Sequence, residues 1–355
     1  KSGYLVKSMQ KEGLVLYNES RYDQALEILK KLIQEYPGTA ESREALNTIR
    51  NIYVDKNEVG KYYDYARNIP FANVTATEQD SVTYFVGENL YLAGKCPEAS
   101  LAFSDYLNRF PDGGFALNAH YYKAECDFNT GNKSGALAGY EWVAGLPKSG
   151  FTENALLKAS SINFENKEYS KALDFYQKLE LNADNEENIV VALTGQMNCL
   201  VMTGKFDDAA TSANKVLQIP GIGNNLKADA SYILGKAAFE KESYESAKIN
   251  FQKVVSLSGA EKGAESKYLL ATIHFRQKDY KKAEELVFEL ADEYSSFEYW
   301  KASGFILLAD IYTSTGNAFQ ARQTLQSIIE NYPGEDLKKI ASKKLETLVE
   351  NEKNQ

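Results

Sequence analysis

The 355 residues carry a formal net charge of -9 and a pI near 5.1. That balance argues against non-specific nucleic-acid binding, which needs a basic face to displace phosphate counterions. Hydrophobic residues make up 44% and charged residues 25%, ordinary for a globular chain, and no run of 18 apolar residues is present to span a bilayer as a helix.

Residues 3–37 open the chain with two amphipathic segments, and residues 39–70 read as a second, weaker pair. Residues 71–78 form a longer joint in which Asn73, Thr75 and Thr77 supply an N-cap. Further helical pairs are expected over 77–111, 114–147, 151–182, 186–220, 224–258, 260–294 and 297–333. The clearest example is KDYKKAEELVFELADEY at 278–294: Tyr280, Ala283, Leu286, Val287, Leu290, Ala291 and Tyr294 recur at helical spacing. Residues 180–187 read as a solvated acidic connector. Residues 336–351 read as a capping helix with Leu337, Ile340, Ala341, Leu345 and Leu348 on one stripe and Lys338, Lys339, Lys343 and Lys344 between them.

The pairs repeat. A small residue recurs at Ala25, Ala99, Ala136, Ala172, Ala209, Ala247, Ala283 and Ala321, with gaps of 74, 37, 36, 37, 38, 36 and 38. The double first gap hides a degenerate unit with Tyr62 in the alanine slot, making nine units. About twelve residues upstream stand Gly13, Gly87, Ala124, Ser160, Gly235, Ala271 and Ala309, while Met197 departs from the rule. Small residues on two antiparallel helices let their backbones approach. Gly94, Gly131, Gly204 and Gly316 mark turns, six prolines close second helices, and Pro97 fits a first helical turn.

This pattern of small residue, aromatic, turn, aromatic, alanine and proline resembles the tetratricopeptide repeat over nearly the whole chain. The resemblance implies an all-α, right-handed α-solenoid, one array over 1–355, whose first helices line a concave groove. The endings Tyr36-Pro37-Gly38, Phe110-Pro111-Asp112 and Tyr332-Pro333-Gly334 are similar to those of bacterial cell-envelope members. That implies a periplasmic or outer-membrane-associated location and membership of a larger envelope complex, with the cytoplasm left open. The chain starts at Lys1 rather than Met, so it is read as a mature or trimmed chain, and as part of a longer array.

Chemistry has few footholds. His120 and His274 lack a Cys or carboxylate at metal-ligand spacing, and no phosphate loop or nucleophile elbow occurs. No catalytic residue, metal site or cofactor is expected. Cys126 and Cys199 fall two repeats apart, roughly 20 Å or more, and nothing aligns Cys96 with Cys126. Three buried or half-buried thiols are expected.

Carrying the family geometry over, one groove-facing slot holds Tyr84, Tyr121, Tyr232 and Tyr268. A second slot, seven residues later, holds Tyr91, Phe128, Phe239 and Phe275. Seven residues is about two turns, so both slots share a face. The competing reading is that these rings are packing. The equivalents of a chaperone-tail clamp are Leu14, Glu88, Glu125, Ser161, Asn198, Lys236, Thr272 and Asp310; only Asn198 fits. The resulting expectation is a non-enzymatic scaffold for a protein or peptide partner, with no nucleic acid and no membrane-spanning segment. The alternative is a glycan- or peptidoglycan-binding module using the aromatic groove.

Overall fold

The computed structural model describes residues 2–353. Among them are nineteen helices and no strand. Eighteen helices form nine hairpins: α1 (Ser2–Asn18) with α2 (Tyr22–Glu35), α3 (Ala40–Asp55) with α4 (Val59–Ala66), α5 (Ala76–Leu92) with α6 (Cys96–Arg109), α7 (Ala116–Asn129) with α8 (Lys133–Ala144), α9 (Thr152–Glu165) with α10 (Tyr169–Asn182), α11 (Glu186–Met202) with α12 (Phe206–Gln218), α13 (Asn224–Glu240) with α14 (Tyr244–Leu257), α15 (Glu261–Arg276) with α16 (Tyr280–Glu293), and α17 (Glu298–Ser314) with α18 (Ala318–Asn331). The last helix is α19 (Glu335–Lys353). The chain divides into two compact units, Lys1–Ile162 and Asn163–Gln355.

Each hairpin turns through one residue with positive φ, five places before the alanine slot. Four are Gly94, Gly131, Gly204 and Gly316; the other five are Ser20, Asn57, Lys167, Glu242 and Lys278. Left-handed backbone costs a non-glycine residue energy, yet the register repeats. Asn57 lies five residues before Tyr62, which places Tyr62 in the alanine slot of the short α4. Thr75 caps α5 by accepting from the Glu78 amide at 3.1 Å, and Pro97 sits in the first turn of α6.

Within a hairpin, size is complementary. A Cβ on Gly87 would lie 2.6 Å from the Phe103 ring, and one on Gly235 would lie 2.6 Å from the Phe251 ring. Gly13 stands against Leu29 in the same register. In α11 and α12 the sizes exchange: Met197 takes the glycine place and Ala213 the large-residue place, both fully buried in one apolar cluster. The departure at Met197 is therefore compensated on the facing helix.

Two local expectations change. Glu180 is not part of a solvated connector. It ends α10's packed face, accepting from Lys215 at 2.6 Å and from Gln196 at 2.8 Å. Burial pushes its carboxyl up, but these bonds outweigh it and hold the carboxyl below its ordinary range. On α19, Leu337, Ala341 and Leu348 are buried while Ile340 is exposed, because the helix has neighbours on one side only, α17 and α18. Lys344 reaches Asp310 at 2.7 Å.

Candidate aromatic site on the first helices

The first-slot tyrosines are engaged at the joints between repeats. In the first unit, Tyr84 is 1% exposed. Its ring stacks on Phe115 at 4.5 Å and meets Tyr106 edge-on at 5.7 Å. Its hydroxyl donates to Glu88 at 2.8 Å; burial first, and then Glu88, raise its pKa. Tyr121 is 9% exposed and stacks on Phe151 at 4.3 Å. Its hydroxyl accepts from Asn154 at 2.5 Å, and burial pushes its pKa up to about 12.

In the second unit both tyrosines are half-buried. Tyr232 has the Lys262 ammonium 5.9 Å from its ring centre and Glu265 beside its hydroxyl, so burial and that carboxylate raise its pKa. Tyr268 packs against Trp300 at 5.7 Å. The partners Phe115, Phe151, Lys262 and Trp300 are not marked by the periodicity of the helix that carries the tyrosine. Their signal is spacing: each follows its tyrosine by 30 to 32 residues, at the start of the next first helix.

The second-slot rings also have neighbours. Phe239 lies 6.3 Å from Tyr244 and Phe275 lies 5.8 Å from Tyr280. Tyr17–Tyr22 and Phe164–Tyr169 repeat this five-residue clasp across the turn. It explains the tyrosine that opens so many second helices. Phe128 instead has the Lys158 ammonium 4.2 Å from its ring centre, and Phe239 has the Arg276 guanidinium at 4.7 Å. Tyr91 lies 4.6 Å from Tyr122. All four second-slot rings remain half-exposed, whereas Tyr84 offers no ring face to solvent.

Charge on these helices differs by position. Asp229 pairs with Lys262 at 2.5 Å and Glu265 with Lys236 at 3.4 Å. Glu88 and Glu125 accept only from tyrosine hydroxyls, Tyr84 at 2.8 Å and Tyr140 at 2.6 Å. No cation pairs with either among the described residues.

The histidines and cysteines form no metal group among the described residues. His120 stacks on Trp142 at 3.8 Å, and burial lowers its pKa. His274 shares a 2.9 Å hydrogen bond with Asp279, five residues on and across the turn. Cys96 and Cys126, which nothing in the sequence aligns, come within hydrogen-bond reach. Burial first, then Cys96, raise the Cys126 thiol pKa. Cys96 opens α6, and Cys126 lies in the last turn of α7, the helix that follows it in the stack. All three cysteines are free.

The fold thus defines an all-α chain of stacked helical hairpins, each too small to bury its apolar stripe alone. Tetratricopeptide-repeat profiles match residues 7–39, 228–261 and 305–334, so the chain carries tetratricopeptide repeats in those segments. Among solved structures it is similar to YrrB, described as a tetratricopeptide-repeat protein with an unusual peptide-binding site (20% identity, 53% of this chain and 91% of that one, TM-score 0.43). It is also similar to a tetratricopeptide-repeat protein from Parabacteroides merdae (14%, 74% and 97%, TM-score 0.37) and to yeast Tom70 (10%, 99% and 97%, TM-score 0.42). No curated protein matches.

Proposed function

We propose that this chain is a non-enzymatic interaction scaffold, and that its first helices hold a protein or peptide segment. One observation carries the reading. On α5 and α7, the half-buried Glu88 and Glu125 have no cation opposite them among the described residues, and they adjoin the half-exposed rings of Tyr91 and Phe128. A half-buried carboxylate with an uncommitted oxygen is costly to hold unless a partner supplies a donor. Tyrosine and phenylalanine rings beside it give a rigid apolar platform.

The glycan alternative needs bare ring faces for sugars to stack on. The stacking of Tyr84 on Phe115 and Tyr121 on Phe151 takes up those faces, which favours a protein partner. The acidic balance of -9 likewise disfavours nucleic acid. No helix among the described residues is long and apolar enough to cross a membrane. An envelope location rests on the three proline endings, and cell fractionation of the full-length protein tests it.

The experiment for the scaffold is photocrosslinking from Tyr91→benzoylphenylalanine and Phe128→benzoylphenylalanine, with Leu101→benzoylphenylalanine on a second helix as control. Discrete adducts from the first two sites, weakened by Glu88→Gln with Glu125→Gln, are expected. Adducts equal at all three sites would overturn the reading, as would their absence.

A further inference from the structure

The second unit contains a cavity of about 540 Å³ that lies away from the aromatic slots. Its floor is one stripe of α17: Ala302, Phe305, Leu308 and Tyr312. One wall is α18, through Gln323, Thr324, Ser327, Ile328 and Asn331; Phe288 of α16 stands at the other rim, 49% exposed. Near one end the Tyr312 hydroxyl donates to Glu284 at 2.9 Å, joining floor to rim.

The preceding hairpin shows why this space is open. Thirty-eight residues before Phe305, Ser327 and Asn331 stand Lys267, Glu289 and Glu293. There Lys267, 5% exposed, runs its stem through the equivalent place and pairs with Glu289 at 2.7 Å and with Glu293 at 2.8 Å. A cation and two carboxylates close that slot. In α17 and α18 the same three positions are a ring, a hydroxyl and an amide, all neutral, and no clamp forms.

The chemistry of the lining is specific. The two charges on it, Glu298 and Lys301, neutralise each other at 2.7 Å. Phe288, Phe305, Leu308 and Ile328 provide apolar contact. The Gln323 carboxamide has no hydrogen-bond partner among the described residues, and Asn331 uses its donor on Ser327, leaving its oxygen free to accept. Ligand cavities typically span roughly 300–1,000 Å³ and combine an apolar body with a few polar groups. We infer that the α16–α18 slot binds a neutral small molecule with an apolar ring body and one hydrogen-bonding edge. This is independent of the scaffold reading, because the slot shares no residue with the Glu88–Tyr91 and Glu125–Phe128 faces of α5 and α7.

The test uses N-phenyl-1-naphthylamine, a neutral ring compound with one N–H, as the fluorescent probe on the whole chain. Saturable binding at one site per chain is expected, with emission enhanced on entry. Transplanting the clamp of the preceding hairpin, F305K with S327E and N331E, should abolish that binding, and the combination is one this fold already accommodates. Circular dichroism checks that the variant folds, and Ser327→Trp provides a second way to fill the slot. Phe288→Ala should weaken binding several-fold. Non-saturable binding by the native chain would overturn the inference. So would equal binding by two folded variants with the slot filled.

Discussion

The same tyrosine slot is built in two ways in the two units. In Lys1–Ile162, Tyr84 and Tyr121 stack flat on phenylalanines of the next repeat at 4.5 and 4.3 Å. In Asn163–Gln355, Tyr232 meets a lysine at 5.9 Å and Tyr268 a tilted tryptophan at 5.7 Å. Ring stacking and area burial are insensitive to salt, whereas an ammonium near a ring and a carboxylate is partly screened. At this slot the first unit's two joints are therefore ring on ring, while the second unit's Tyr232 joint is partly electrostatic. One slot position thus has two energetic characters.

The largest effect that can break this comparison is removal of a core ring. Phe103→Ala should cost about 3–5 kcal/mol, read by urea unfolding of the first unit through Trp142. Phe251→Ala should do the same to the second unit, read through Trp300. If each substitution moves both tryptophan signals equally, the units are not separate in stability.

Alkali should separate the units next. Burial raises Tyr63, Tyr84, Tyr106 and Tyr140 well above the ordinary tyrosine value of 10.0, and Tyr65 and Tyr121 to about 12. A folded pKa above the unfolded one gives stability that is complete below pH 10 and is lost as pH rises toward the folded values. In the second unit burial raises Tyr232 strongly and also raises Tyr268, Tyr294 and Tyr312. Trp142 emission should therefore report unfolding at lower pH than Trp300 emission. The reverse order would remove the distinction.

Smaller substitutions sharpen the picture. Phe115→Ala should cost about 2 kcal/mol, from lost stacking and burial. Lys262→Ala should cost about 0.5–1 kcal/mol, and that cost should shrink with added salt. Equal costs with equal salt dependence would erase the contrast. The smallest effect is expected at the turns. Lys278→Gly relieves a φ of 62° at the cost of a looser unfolded chain, for a net gain of roughly 0.5 kcal/mol. A loss, measured as a lower unfolding midpoint, would show that the lysine side chain itself contributes there.

Much of the fold was legible because the alanine slot admits one size class: eight small residues at nearly fixed spacing mark the hairpins. The degenerate second hairpin was legible by the same counting. Five of the nine turns were not, because Ser20, Asn57, Lys167, Glu242 and Lys278 adopt a backbone that only glycine signals in sequence. The site was half legible. The rings at Tyr84 and Tyr121 were found, but their burial was not, since the phenylalanines covering them come from the next repeat. Periodicity within one helix carries no record of what the neighbouring hairpin brings. Glu180 escaped for the same reason: its partners Gln196 and Lys215 lie on later helices.

The exchange of sizes between Met197 and Ala213 makes the hairpins keyed rather than interchangeable. A chimaera that replaced α12 with α14 would drive Phe251 against Met197, and the reciprocal swap would leave a void over Gly235. Recombination between these repeated modules would therefore have to move whole hairpins, cutting at the connectors and never at the inner turns.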